Sequence, residues 1–316
     1  MAGKKKTTPK AKAAAAAPRA PARRQKAPAC DDPGCASCEP SEGGLLTNEP
    51  LFSCAIGQPQ FPLPLRAKVV SNEKENEKVS LLTLDVQMDA APGQFVMVWL
   101  PGFEEKPMSI AEVKPSLQLA IARAGPASTQ MADTKPGQYL FIRGPLGQGY
   151  QAKGKRWLLV GGGYGFAPLR FVARLGLERG AHVESINGAR TKGLLMRPGP
   201  GPNHVTTDDG SEGMKGTVVT AMSHHFATAK AKWDCVYCCG PEKMMEAVAK
   251  ACQAAGVPCQ LSVERYMKCG FGVCGHCAMD GWLSCWDGPA ISGEDALANR
   301  EFGKAHKDKA GRQIKY

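Results

Sequence analysis

Nine of the thirteen cysteines fall between residues 235 and 285, and four of those, Cys269, Cys274, Cys277 and Cys285, are spaced C-x4-C-x2-C-x7-C. A loop that aims three thiolates at one centre must turn sharply and leave bare N–H groups near the sulfurs, and Gly270, Gly272 and Gly275 are placed to allow it. Three cysteines in one loop with a fourth from a separate segment is the plant-type [2Fe–2S] pattern. Structural zinc sites are more often built from paired C-x2-C units. His276 would be a ligand only in a Rieske-like arrangement; four cysteines already suffice, so it reads as an exposed histidine or one lying behind the ligands.

No apolar h-region opens the chain and no run of about 18 apolar residues occurs, so neither a secretory signal nor a membrane span is expected. The cysteines therefore point to metal or redox chemistry in the cytoplasm rather than to a disulfide framework. The same cysteine order recurs at Cys30, Cys35, Cys38 and Cys54, but only Gly34 lies between the first three. That stretch reads as incidental cysteines in a flexible linker, with a second cluster as the alternative.

The net charge of +11 suggests a nucleic-acid partner until its location is considered. Residues 1–29 hold nine cations and no acid, leaving +2 for the rest of the chain. With little there beyond Ala, Pro, Lys and Arg, this extension cannot bury enough surface to fold and is expected to be disordered, a spacer or a contact for an acidic partner. A basic-tailed nucleic-acid-binding or scaffold protein with a degenerate redox fold is the competing class.

Length suggests about two domains. Short β-type runs at 65–70, 79–86, 94–100, 117–123 and 139–144, separated by Pro92-Gly93, Pro101-Gly102 and Pro136-Gly137, predict a small antiparallel barrel. At Arg156 the period changes. Trp157 to Val160 reads as a buried strand, Gly161-Gly162-Gly163 as a turn, Ala167 to Arg179 as a helix and residues 180–189 as a second strand, a β-α-β unit that implies a parallel sheet. Cys235 to Pro241 and a helix from Glu242 to Ala255 repeat the pattern. The fold class is thus α/β plus β: an extension over 1–59, a barrel over 60–152, a Rossmann-like parallel domain over 153–258, and a cysteine module with a charged, loosely packed tail over 259–316.

Gly161, Gly162, Gly163 and Gly165 follow a strand and open a helix, where backbone amides can meet a pyrophosphate. Cys239-Gly240-Pro241 ends a later strand at the same sheet edge, where open α/β sheets bind ligands. In the barrel, Lys106-Pro107-Met108-Ser109 and Arg123 to Thr129 each follow a strand and combine a cation with hydroxyls or free amides, as a flavin diphosphate requires; without that context either reads equally as an ordinary strand-end turn. Asp208-Asp209 reads as a solvated turn and His224-His225 as a surface pair without further ligands at metal spacing. Cys235, Cys238, Cys252 and Cys259 read as small buried residues.

Taken in this order, the residues resemble the ferredoxin-NADP reductase superfamily and, with the stretch Glu264 to Cys269 through Cys285-Trp286-Asp287-Gly288-Pro289, more narrowly the electron-transfer subunits of the type B, NAD-dependent dihydroorotate dehydrogenases. The resemblance implies FAD, a [2Fe–2S] cluster and NAD as cofactors, in an oxidoreductase of pyrimidine biosynthesis. It places an Arg-Pro-x-Ser flavin motif on Lys106, Pro107, Met108 and Ser109, a second flavin segment on Ile121, Ala122 and Arg123, and a phosphate-binding pair on Ser128 and Thr129. Cys239 falls near the nicotinamide, as the catalytic position. The resemblance further implies a hetero-oligomer with an FMN-containing catalytic dehydrogenase, whose electrons pass through the cluster and FAD to NAD⁺. Gamma or reductase subunits of sulfhydrogenases, hydrogenases and anaerobic sulfite reductases share this layout and are the runner-up.

Overall fold

The computed structural model describes residues 63–229 and 231–316. The extension expected over residues 1–59, with Cys30, Cys35, Cys38 and Cys54, lies outside the described residues.

Six strands close a barrel: β1 (Leu65–Lys74), β2 (Val79–Leu84), β3 (Phe95–Trp99), β4 (Lys106–Glu112), β5 (Gln118–Ala122) and β6 (Tyr139–Leu146). Their order is β1-β2-β5-β4-β3-β6, and every neighbouring pair is antiparallel. Alternation is the cause. Ala67 and Val69, Leu82 and Leu84, Val96 and Val98, Leu119 and Ile121, and Leu140 and Ile142 all point inward and are at most 2% exposed. Burying each Val, Leu or Ile contributes about 1.5–3 kcal/mol. The barrel core also takes Ala127, Met131 and Ala132 from α1 (Pro126–Ala132), a helix where the sequence suggested only a turn. Pro126 suits its first turn, where no N–H is needed. Lys106 to Ser109 likewise begin β4 rather than follow a strand.

The second domain runs β7 (Arg156–Gly162), a 3-10 turn (Gly163–Phe166), α2 (Ala167–Glu178), β8 (His182–Ala189), β9 (Asn203–Thr207), β10 (Met214–Lys215), α3 (Val218–Thr228), β11 (Cys235–Cys239), α4 (Glu242–Ala255) and β12 (Cys259–Ser262). These strands are parallel in the order β10-β9-β8-β7-β11-β12, as the β-α-β pattern requires. α2 docks the barrel onto the sheet. Its Leu169, Val172 and Ala173 share one apolar cluster with Val79 and Leu81, the outward-facing side of β2, and with Trp157 of β7.

The remainder comprises the hairpin β13 (Ala278–Met279) and β14 (Trp282–Leu283), then β15 (Ala290–Ser292), α5 (Gly293–Ala298), and a second hairpin of β16 (Ala305–Lys307) and β17 (Gln313–Lys315). β15 adds to the large sheet, antiparallel to β12. The division at residue 259 therefore falls within one sheet. The loose packing expected of Ile291 to Tyr316 is overturned for its first part, where Ile291, Ala296 and Phe302 join the core beneath α4, while residues 309–316 are exposed. A carboxylate explains the order. Glu242, at the start of α4, is buried against Arg265, accepts the Gly303 amide at 2.7 Å and accepts the Tyr316 hydroxyl at 2.8 Å. Among the described residues no helix is long and apolar enough to cross a membrane.

Candidate active site and cluster loop

A cavity of about 450 Å³ opens between barrel and sheet. β4 supplies Lys106, Pro107, Met108 and Ser109; the entry to α1 supplies Gly125 and Ser128; the sheet edge supplies Tyr164, Gly165 and Cys239; and the segment after β12 supplies Glu264 to Met267. The structure therefore brings together predicted residues of the barrel and of the sheet edge, Cys239 lying more than a hundred positions from Ser128.

Alternation along β5 sorts the second predicted segment. Ala120 and Ala122 line the cavity, whereas the Ile121 side chain points the other way, into the barrel core. Arg123 leaves the strand toward Asp133, at 2.7 Å, and donates to Ser80 Oγ at 2.9 Å, away from the cavity wall. Ser128 lines the cavity, but its hydroxyl accepts the amides of Ala124 and Gly125 at 3.1 Å each, so it holds the turn into α1. Thr129 is part-buried and off the wall.

The glycines at the sheet edge are required by packing. A Cβ on Gly165 would lie 2.7 Å from the carbonyl carbon and oxygen of Cys239 and from the Gly240 Cα, and one on Gly161 would lie 2.7 Å from the Phe166 Cα. Gly162 faces Met244 and Pro241, and Gly163 has a φ of 55° with open space around it. The two turns predicted to share an edge are thus in backbone contact. Only Gly165 of the four is on the cavity wall. Cys239 is buried beside it, and burial, with the charge of Glu264 adding to it, pushes its thiol well up, so it stays protonated.

Two polar groups that the sequence did not single out frame this cavity. Tyr164 donates to Glu264 Oε2 at 3.1 Å; burial raises the Glu264 carboxyl above its ordinary range, against that hydrogen bond. Nearer the barrel, Tyr266 donates to Glu104 Oε2 at 2.6 Å, Lys106 lies 3.0 Å from Glu104 Oε1 and 4.5 Å over the Tyr266 ring, and Lys309 reaches Glu104 at 3.3 Å. The Tyr266 and Lys106 contacts outweigh burial and hold the Glu104 carboxyl at about 2.

The four predicted cysteines converge. Cys277 and Cys285 are buried with sulfurs 3.3 Å apart, Cys269 is part-buried and Cys274 exposed. Gly272 and Gly270, at φ of 82° and 81°, turn the loop so that amides face the sulfurs, and the Gly272 N–H reaches Cys285 Sγ at 3.2 Å. Burial pushes the Cys269 thiol up, but N–H donors of Cys274, Phe271 and Val273 bring it down to about 7. The Cys285 partner and nearby amides bring Cys277 to about 6 despite burial, and the same pairing raises Cys285. Such a donor set suits thiolate ligation of iron. His276 is not among the sulfurs' partners: its Nε2 meets the Asp308 carbonyl at 2.9 Å, tying the loop to the last hairpin. Asp209 forms the expected turn with Ser211, and Cys235, Cys238, Cys252 and Cys259 are buried.

Residues 264–296 match the family described as the iron-sulfur cluster binding domain of dihydroorotate dehydrogenase B. Proteins of Pyrococcus furiosus and Methanothermobacter thermautotrophicus, each named "Probable dihydroorotate dehydrogenase B (NAD(+)), electron transfer subunit", are both 38% identical to this chain. The first alignment covers 75% of this chain and 93% of the relative, the second 80% and 97%. The structure of an NADH-dependent reduced ferredoxin-NADP oxidoreductase, reported for its insight into flavin-based electron bifurcation, superposes with a TM-score of 0.65 at 31% identity, covering 73% of this chain and 91% of that one. A ferredoxin reductase of carbazole 1,9a-dioxygenase, at 22% identity and a TM-score of 0.54 over 61% of this chain and 66% of that one, shares the fold. The cysteine loop, the barrel and sheet that flank the cavity, and these relatives agree: the chain is an electron-transfer protein of the dihydroorotate dehydrogenase B electron transfer subunit family.

Proposed function

We propose that this chain accepts electrons from a catalytic dehydrogenase subunit that oxidises dihydroorotate, and delivers them to NAD⁺, working with that partner in a cytoplasmic hetero-oligomer. When bound, a [2Fe–2S] cluster supplies single-electron exchange and FAD the conversion between single electrons and a hydride. Cys269, Cys274, Cys277 and Cys285 are the residues to hold the cluster.

Lys106, Pro107, Met108 and Ser109, with Ala122 and Ser128, are the flavin-binding candidates that line the cavity, while Arg123 and Thr129 stand off its wall and would reach a flavin only by turning toward it. Ile121 contributes backbone only. Gly161, Gly162, Gly163 and Gly165 shape the nucleotide edge, and Cys239, kept as a neutral thiol, presents a soft uncharged wall where the nicotinamide is expected. Tyr164 and Glu264 share a proton-bearing contact across the same wall.

The observation that carries the reading is the continuity between cysteine loop and cavity. Phe95 and Met267 line the cavity and also pack with Met97, Cys277 and Cys285 in one buried cluster. On the outer side of the loop, Cys274, Val273 and Trp286 are exposed, the latter two by 75% and 57%, which offers a partner an apolar approach to the cysteines. Dihydroorotate-dependent NAD⁺ reduction by the co-purified pair tests the proposal. Activity with sulfite, polysulfide or hydrogen in place of dihydroorotate would move the chain to the runner-up assignment, and an apoprotein without flavin absorbance would favour the scaffold reading.

A further inference from the structure

Three side chains remote in sequence meet on one face of the large sheet, away from the cavity. His204 of β9 pairs with Ile186 of β8 in parallel register, so Glu184, two residues before Ile186, projects from the same face as His204. α3 packs on that face through Ala221 and Met222, which share a core with Ile186. His225, one helical turn beyond Ala221, therefore reaches the same point. His204 Nε2 lies 3.0 Å from Glu184 Oε2 and His225 Nε2 lies 3.9 Å from the same oxygen. One ligand atom from each residue falls within 4.8 Å of the others. The reading of His224-His225 as a plain surface pair holds for His224 alone, since the His225 side chain is only 13% exposed.

Two of the three groups are also held from behind. His225 Nδ1 lies 2.9 Å from the Ala221 carbonyl, an acceptor, so the proton sits on Nδ1 and the Nε2 lone pair faces inward. His182 takes Glu184 Oε1 at 2.7 Å, leaving Oε2 for the centre. Among the described residues, the ion-pair partners of Glu184 are all histidines, and its side chain is 20% exposed. Tetrahedral ligands about 2.0–2.1 Å from zinc stand about 3.3 Å apart. The observed 3.0 and 3.9 Å bracket that value.

We propose that Glu184, His204 and His225 form a binding site for a borderline divalent cation, Zn²⁺ by donor type, with a fourth position open to water. Its effect is to tie β8, β9 and α3 together. The site lies toward the amino-terminal ends of the strands, whereas Gly165 and Cys239 stand at the carboxyl-terminal edge, so the inference is independent of the electron-transfer reading.

The test uses the full-length protein carrying its flavin and iron, dialysed against buffered Zn²⁺. Wild type is expected to retain one zinc equivalent more than the His204→Ala/His225→Ala double variant, and Zn²⁺ is expected to raise the Tm of wild type but not of the variant. Zinc held by Cys30, Cys35, Cys38 or Cys54 is common to both and cancels. Glu184→Gln, nearly isosteric, is expected to weaken zinc binding at least tenfold. Equal zinc in wild type and Glu184→Gln overturns the proposal, and this comparison decides the matter if the double variant loses its flavin. Equal zinc in wild type and a flavin-retaining double variant overturns it too.

Discussion

Arg143 of β6 donates a hydrogen bond of 3.0 Å to the carbonyl oxygen of Cys269, while Glu105 grips the same guanidinium at 2.9 and 2.6 Å. A barrel strand thus holds the first cysteine of the loop by its backbone, with an ion pair only 12% and 26% exposed as the clamp. Arg143→Gln is expected to destabilise the protein by about 1.5–3 kcal/mol, the range for hydrogen bonds to charged groups. It leaves Glu105 uncompensated near the cysteines, so the reduction potential is expected to fall, on the order of tens of mV. Redox titration followed by EPR checks the sign; an unchanged or raised potential would contradict it.

Iron should leave selectively. Cys277→Ser is expected to remove two irons per chain, the content of one [2Fe–2S] cluster, while flavin absorbance persists. Metal analysis against wild type reads the difference, and four irons in wild type would place a second cluster on Cys30, Cys35, Cys38 and Cys54.

Glu104 makes the cavity mouth pH-sensitive. Its carboxyl is depressed from 4.5 to about 2, so the stability it contributes is fully present above about 4.5 and is lost as pH falls toward about 2. Glu104→Gln is expected to lower the Tm by the equivalent of up to about 1 kcal/mol at pH 7, solvent screening limiting the effect. The gap between variant and wild type should close on acidification below pH 4.5.

Gly165→Ala would push a methyl group into the Cys239 carbonyl and the Gly240 Cα, both backbone atoms that no side-chain rotation can move aside. A loss of about 1–3 kcal/mol is expected, read from the urea midpoint, with weaker nucleotide binding because the two turns separate.

Removing Glu242 should cost more than any of these. Glu242→Ala strands the Arg265 guanidinium, 2% exposed, without its partner and frees Gly303 and Tyr316. Loss of about 3–5 kcal/mol is expected, with faster proteolysis of the last hairpin as the local readout.

Much of this architecture is legible in the sequence because the information is contiguous. The cysteine loop, the β-α-β unit and the strand-end turns each lie on one short segment whose spacing carries the meaning. Alternation along β5 also held the sorting of Ala120 and Ala122 from Ile121. What escaped depends on partners distant in the chain. α1 is too short for periodicity to show, and the order of Ile291 to Tyr316 rests on Glu242 and Arg265. Glu184, His204 and His225 come together through strand register and one helix docking, neither of which a local pattern encodes.

The cysteine loop leaves the sheet at Ser262 and re-enters it at Ala290, and those two residues are themselves paired. Both feet of the loop stand on adjacent strands of the sheet whose edge carries Cys239. Electron exchange weakens steeply with distance, so a tethered module that wandered would trade fast and slow moments. Here the gap is built into the sheet, which makes the hop within this chain a constant and leaves docking of the partner as the variable.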